Sequence, residues 1–163
     1  MSGRVVALEL TRLEAAHLTG LVTQFAELVD ETNSNADDPA VARLVPDAYA
    51  DAAASREFRD LTQSDLLERR RTDAAVVHAS LREAAVLPED PEDPLLLEAV
   101  EVRLDSDTVE AWLRTLTAIR LVLSTRLGIV GPEDHDADDP RFGIYDWLGY
   151  RLDGLVGAVE DLT

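Results

Sequence analysis

The chain contains no cysteine. That absence excludes disulfides, thiolate metal sites, cysteine nucleophiles and thiol redox sensing together. Lysine is missing as well: all 15 basic residues are arginine, set against 33 acidic residues for a formal net charge of -18. Aromatic residues make up only 5% of the 163, so Leu, Val and Ala must fill most of any core. No run approaches the roughly 18 apolar residues that a membrane span needs. The short stretch Val5-Val6-Ala7-Leu8 meets Glu9 too soon to read as a signal peptide. The cytoplasm is the expected location.

What is present is an ordinary apolar fraction of 46% in a chain long enough for one core. A single domain over 1–163 is expected. Its surplus of negative charge repels phosphate backbones and anionic lipid, and attracts cationic protein surfaces. A basic protein is therefore the expected partner, and direct nucleic-acid binding is disfavoured.

Arg4 to Leu10 alternates and is β-branched at its start, which predicts a short strand. Thr11 with Glu14 three residues on is a capping box, so a helix begins there, with Leu18, Leu21, Phe25 and Leu28 on its face and an end near Asp30 to Asn33. A short helical turn is expected from Ala36 to Leu44, closed by Pro46. A modest helix from Asp47 to about Asp60 should follow. Thr62 and Asp65 read as a second capping box opening a helix to about Ala85. Leu87 to Pro94 is rich in proline and acid and cannot continue it. Ala99 to Leu104 alternates as a second strand. Asp105-Ser106-Asp107 then caps a helix that runs to Leu127, and Gly128 stops it. A second acidic loop, Gly131 to Pro140, leads to the last helix. The expected fold is mainly α: a single-domain bundle of five or six helices with a small two-stranded β-ribbon, and flexible acidic loops at about 87–97 and 131–140. The repeated order of strand, cap and helix suggests that the two strands pair and hold the first and penultimate helices side by side.

Two C-terminal stretches carry helical stripes. Val109, Trp112, Leu116, Ile119 and Leu123 form one, and Tyr145, Leu148, Leu152, Leu155 and Val159 the other. Packing within the subunit is the simplest use of both. A homodimer interface is the sharper one, since Trp, Tyr and Arg are favoured anchors. Trp112, Tyr145, Trp147 and Tyr150 are thus candidate contact residues. Gly143, Gly149, Gly154 and Gly157 fall in the last helix, where each costs roughly 1 kcal/mol relative to Ala. Close approach of a neighbouring helix would account for them.

Catalytic signatures are missing. There is no G-x-S-x-G, no P-loop, no G-x-G-x-x-G and no H-E-x-x-H, and His17, His78 and His135 are scattered. A non-enzymatic protein without cofactor is expected. Asp134, Asp136 and Asp138 match the first three ligand positions of an EF-hand loop and are weak metal candidates. The match then fails: Asp139 stands where glycine is needed and Tyr145 where a bidentate Glu is required. The basic residues Arg56, Arg59, Arg69, Arg70 and Arg71 can be read as a helix-turn-helix, with Arg69, Arg70 and Arg71 touching phosphate. Glu57, Asp60, Asp65 and Glu68 interleave with them, and pairs such as Asp65 with Arg69 would make this an exposed, salt-bridged helix instead.

Several words, in order, resemble one family. They are Asp38-Pro39-Ala40-Val41-Ala42-Arg43-Leu44-Val45-Pro46-Asp47-Ala48-Tyr49, Glu57-Phe58-Arg59-Asp60-Leu61-Thr62 and Val102-Arg103-Leu104-Asp105. Ala111-Trp112-Leu113-Arg114, Thr125-Arg126-Leu127-Gly128-Ile129 and Tyr145-Asp146-Trp147-Leu148-Gly149-Tyr150 complete the set. Together they resemble an actinobacterial family once known only as a domain of unknown function, the AosR-like oxidative-stress transcriptional regulators, often encoded beside the Clp protease adaptor. The resemblance implies a regulator of transcription or stress response that works through a protein partner such as a sigma factor. It carries no catalytic residues, and without cysteine this member has no thiol sensor. DNA binding through residues 56–71 and an accessory role in Clp-type proteolysis are the alternatives.

Overall fold

The computed structural model describes residues 4–30, 40, 52–136 and 138–161. Among these residues the order is β1 (Val5–Thr11), α1 (Arg12–Asp30), α2 (Ala52–Leu81), β2 (Ala99–Asp105), α3 (Ser106–Arg126) and α4 (Gly143–Asp161). Short 3-10 turns occupy Pro94–Leu97, Pro132–Asp134 and Pro140–Phe142. The protein is mainly helical with one two-stranded ribbon, but four α-helices stand among the described residues where five or six were expected. Within the described residues the difference lies in α2, where two expected helices are one. Thr62 and Asp65 do not open a new helix, because α2 passes through them without a break. No Gly or Pro interrupts Ala52 to Leu81, and an interior Thr costs less than about 0.7 kcal/mol relative to Ala, too little to end a helix. The turn expected at Ala36 to Leu44 and the helix start at Asp47 lie outside the described residues, apart from Ala40, which is helical and buried.

β1 and β2 pair antiparallel, from Val5 opposite Asp105 to Thr11 opposite Ala99. Val6, Leu10, Val102 and Leu104 turn inward and are buried, while Val5, Ala7, Glu9, Glu101 and Arg103 face out. This alternation is the two-residue period of a half-buried strand. A lone ribbon is marginal in water, so its apolar face rests on the helices. Antiparallel pairing also places the two strand-to-helix junctions, Thr11–Arg12 and Asp105–Ser106, at opposite ends of the ribbon. α1 and α3 therefore start from opposite ends of the ribbon, and the side-by-side packing expected of them is slight. α1 packs chiefly on α2, α2 on α3 and α3 on α4, with only light contact between α1 and α3.

The caps follow local rules. Asp105 accepts a hydrogen bond from the Thr108 N–H at 2.9 Å and opens α3. At the other end Gly128 has φ +72°, and the N–H groups of Ile129 and Gly128 donate to the carbonyls of Ser124 (2.8 Å) and Thr125 (3.2 Å). That is a Schellman stop, which favours glycine because a Cβ is strained at this φ.

One core joins all four helices and the ribbon: Leu18, Val22 and Phe25 from α1, Val77 and Leu81 from α2, Trp112 and Leu116 from α3, and Leu148 and Leu155 from α4. An ion pair with a buried carboxylate pins α2 to α3, with Arg114 Nε and Nη2 donating to Asp73 Oδ2 (2.8 Å) and Oδ1 (3.0 Å). The glycines of α4 behave differently from the expectation. A Cβ on Gly143, Gly154 or Gly157 would meet nothing within 4 Å, and one on Gly149 would come within 3.0 Å of the Arg120 guanidinium. The close neighbour is a stacked side chain rather than a helix backbone.

Candidate interaction surface

Glu14 is where α1, β1 and α4 are tied together. Its Oε1 accepts from the Thr11 N–H at 3.1 Å, and its own N–H donates to Thr11 Oγ1 at 3.0 Å, a reciprocal capping box. Its second oxygen, Oε2, accepts from Trp147 Nε1 at 2.8 Å and from Arg151 Nη2 at 2.5 Å. Arg151 Nη1 also donates to the Glu9 carbonyl at 3.1 Å. Burial pushes the Glu14 carboxyl up. The bonds from Arg151, Thr11 and Trp147, with the Arg151 charge, outweigh it and hold the pKa below its ordinary value.

These ties fix α4 against the first turns of α1 but leave an open trough beyond them. A hollow of about 620 Å³ lies between α1 and the start of α4, lined by Ala16, His17, Gly20, Leu21, Gln24, Gly143, Ile144 and Trp147, with Glu14 at its edge. A second hollow of about 330 Å³ lies between α1 and the end of α3, lined by Phe25, Leu28, Ile119, Val122 and Leu123, with Glu27 and Arg126. Leu21 and Gln24 line both, so the two form one trough along α1. From Glu14 to Leu28 the helix rises about 21 Å, the length of roughly four turns of a second helix. Its floor is apolar: Ile144 is 51% exposed, and Leu21, Leu28, Val122 and Leu123 are half-buried. Small residues at Ala16, Gly20 and Gly143 keep it open, and nothing lies within 4 Å of a Cβ built on either glycine.

A family model described as "Domain of unknown function (DUF2017)" matches residues 1–159. The chain belongs to this family. No curated protein and no solved structure matches it.

The residues singled out in the sequence fall at different depths of this DUF2017 domain. Trp112 is completely buried, and its Nε1 donates to Ser80 Oγ at 2.9 Å. It anchors the core and presents nothing to a partner. Tyr145 is half-buried beneath the Arg120 guanidinium, 3.9 Å from the ring centroid, and Arg120 Nε donates to the Tyr145 carbonyl at 3.3 Å. Trp147 lines the trough, and Tyr150 stands 70% exposed with the Arg151 guanidinium 5.6 Å from its ring. Trp147, Tyr150 and Tyr145, which lines a hollow of about 290 Å³ between α3 and α4, reach the surface, and Trp112 does not.

The arginine island does not form a helix-turn-helix, since α2 is continuous where the turn would lie. Arg69 is exposed and forms no ion pair with Asp65. Arg71 pairs with Asp30 of α1 at 2.8 Å. Arg70 lies half-buried against α3. The aspartate loop is organised around its own backbone. Asp134 Oδ2 accepts from the N–H groups of Val130 (3.0 Å) and Gly131 (3.1 Å), and Asp136 Oδ1 from that of Asp138 (3.0 Å). Among the described residues no three His, Asp or Glu side chains converge to hold a metal. His135 of this loop instead meets Asp146 at 2.6 Å and packs on Phe142 and Tyr145, fastening the loop to α4.

Leu21, Leu28, Ile144 and the second oxygen of Glu14 were not foreseen as parts of one surface. The sequence spacing places Leu21 and Leu28 on the core face of α1. The buried face is Ala15, Leu18, Val22, Phe25 and Val29, rotated away from them. Apolar residues in excess of that face were the available signal.

Proposed function

We propose that this protein is a non-enzymatic interaction module, acting in transcription or stress response through a basic protein partner, with a sigma factor as the leading candidate. The observation that carries the reading is the apolar trough along α1 in a molecule of net charge -18. An amphipathic helix lays its apolar face in such a groove, and an acidic surface steers a cationic one into register. The resemblance to AosR-like regulators supplies the oxidative-stress setting. In a chain without cysteine, the signal would arrive through protein contact.

The test is recovery of partners from native lysate with the unaltered protein and with Ile144→Arg. Ile144 is 51% exposed, so the substitution should change stability by no more than about 0.5 kcal/mol. A sigma factor retained by the first and lost by the second supports the reading. Clp components recovered by both would move the protein to proteolysis. A salt-sensitive shift of duplex DNA by the isolated protein would replace partner docking with direct binding.

A further inference from the structure

A second surface runs against the charge of the molecule. From Ala111 to Arg126, α3 carries Arg114, Arg120 and Arg126 and no Asp or Glu, in a chain with 33 acidic residues. Arg114 is occupied by its two-pronged bond to Asp73, with exposed Glu110 reaching it at 3.8 Å from the preceding turn. Both Asp73 oxygens are thereby engaged. One turn earlier on α2, Arg70 is half-buried, and among the described residues no carboxylate lies within ion-pair distance of it. Burial lowers the Arg70 pKa; the charge of Asp73 works against that and the charge of Arg114 adds to it. A hollow of about 270 Å³ opens between the two helices, lined by Arg70, Arg114 and Thr117 over Leu113, Ala118 and Leu121.

A partly desolvated guanidinium without a partner is costly, and a carboxylate satisfies its planar fork through two parallel bonds. Thr117, which makes no hydrogen bond through its hydroxyl among the described residues, offers a further donor beside it. The floor of Leu113, Ala118 and Leu121 rewards an aliphatic stem and gives nothing to a bare inorganic anion. The surrounding field penalises a ligand in proportion to its negative charge, which selects one charge over several. The volume sits near the lower end of small-ligand sites, at about 300 Å³.

We propose that the hollow between α2 and α3 binds an organic monocarboxylate with an apolar stem, the carboxylate on Arg70 and Thr117 and the stem on Leu113, Ala118 and Leu121. A free short-chain acid and the terminal carboxylate of a peptide ending in an apolar residue share this chemistry.

The experiment is an amide NMR titration of the full chain with octanoate, with octanol as the uncharged stem and inorganic phosphate as the stemless anion. Octanoate should shift Leu113, Thr117 and Leu121 saturably, and neither control should do so at the same concentration. Arg70→Gln should weaken octanoate at least tenfold, Arg70→Lys should keep part of the affinity, and Thr117→Val should lose several-fold. An acetylated peptide ending in leucine carboxylate, compared with its amide, separates the sources: binding of the carboxylate form alone favours a chain end, and binding of octanoate alone a free acid. Equal octanoate affinity in folded Arg70→Gln, shifts confined to the α1 trough, or phosphate binding as tight as octanoate would each overturn the proposal. A salt-sensitive DNA shift lost in Arg70→Gln would overturn it too.

Discussion

Arg114 and Asp73 form the tightest link between α2 and α3, and its two ends are unequal: the Asp73 side chain is 10% exposed and that of Arg114 47%. The carboxylate is buried and fully engaged; the guanidinium keeps one flank in water. Bonding to Asp73 raises the Arg114 pKa above its ordinary value.

That inequality makes the two deletions unequal. Arg114→Ala strands a buried charge and should cost about 3 kcal/mol. Asp73→Ala releases Arg114 toward solvent and should cost about 1–2 kcal/mol. Urea unfolding of both variants measures the difference, and the reverse order would show that Asp73 finds another partner.

Glu14→Ala removes the carboxylate half of the capping box and the charged bond to Arg151 in one step, while the Thr11 hydroxyl keeps its bond to the backbone N–H of residue 14. The carboxylate half of the box is worth about 0.5–1 kcal/mol, and a hydrogen bond to a charged group about 1.5–3 kcal/mol, so a total loss of about 2–4 kcal/mol is expected. Equilibrium denaturation reads it, and a loss within error of zero would mean the Glu14–Trp147–Arg151 contacts do not hold in solution.

The same residue sets a pH dependence. Glu14 titrates below its ordinary value of 4.5 in the folded chain. The unfolded state therefore binds the proton first as pH falls, and the stabilisation is full above 4.5 and lost as pH drops through the lower folded value. The stability gap between the native chain and Glu14→Gln should accordingly narrow in acid. A gap that widens below pH 4.5 would contradict the depressed pKa.

Gly154→Ala and Gly149→Ala should part company. Nothing crowds a Cβ at Gly154, so alanine there should raise stability by about 0.5–1 kcal/mol through helix propensity. At Gly149 the new methyl displaces Arg120 from its seat on Tyr145, and the gain should shrink or reverse. Thermal unfolding of the two variants compares them directly.

What could be read in the sequence, and what could not, divides along the range of the forces involved. The Thr11–Glu14 box, the Asp105 cap and the Gly128 stop are bonds between residues at most five apart, and each leaves its mark in a short word. The strands announced themselves by alternation and the stripes of α3 and α4 by spacing. The continuity of α2 was hidden because Thr and Asp are ambiguous: they cap where the chain turns and are tolerated where it does not. The trough was hidden for another reason. Whether Leu21 faces the core or the opening depends on the rotation of α1 against α3 and α4, which no word within α1 encodes. Arg70 and Arg114 are far apart in the chain, and only the packing of α2 on α3 makes them neighbours. AosR-like regulation, sigma-factor docking and Clp-linked proteolysis belong to this second kind of question, decided between surfaces.

The ribbon has a consequence for synthesis. β1 leaves the ribosome well before its hydrogen-bonding partner, which begins at Ala99. At about 5–20 residues per second, the first strand waits roughly five to twenty seconds with its edge bare. An apolar strand so exposed recruits other nascent chains. Glu9, the one carboxylate of β1, stands on its outer face and keeps a charge on the strand through the interval before β2 arrives.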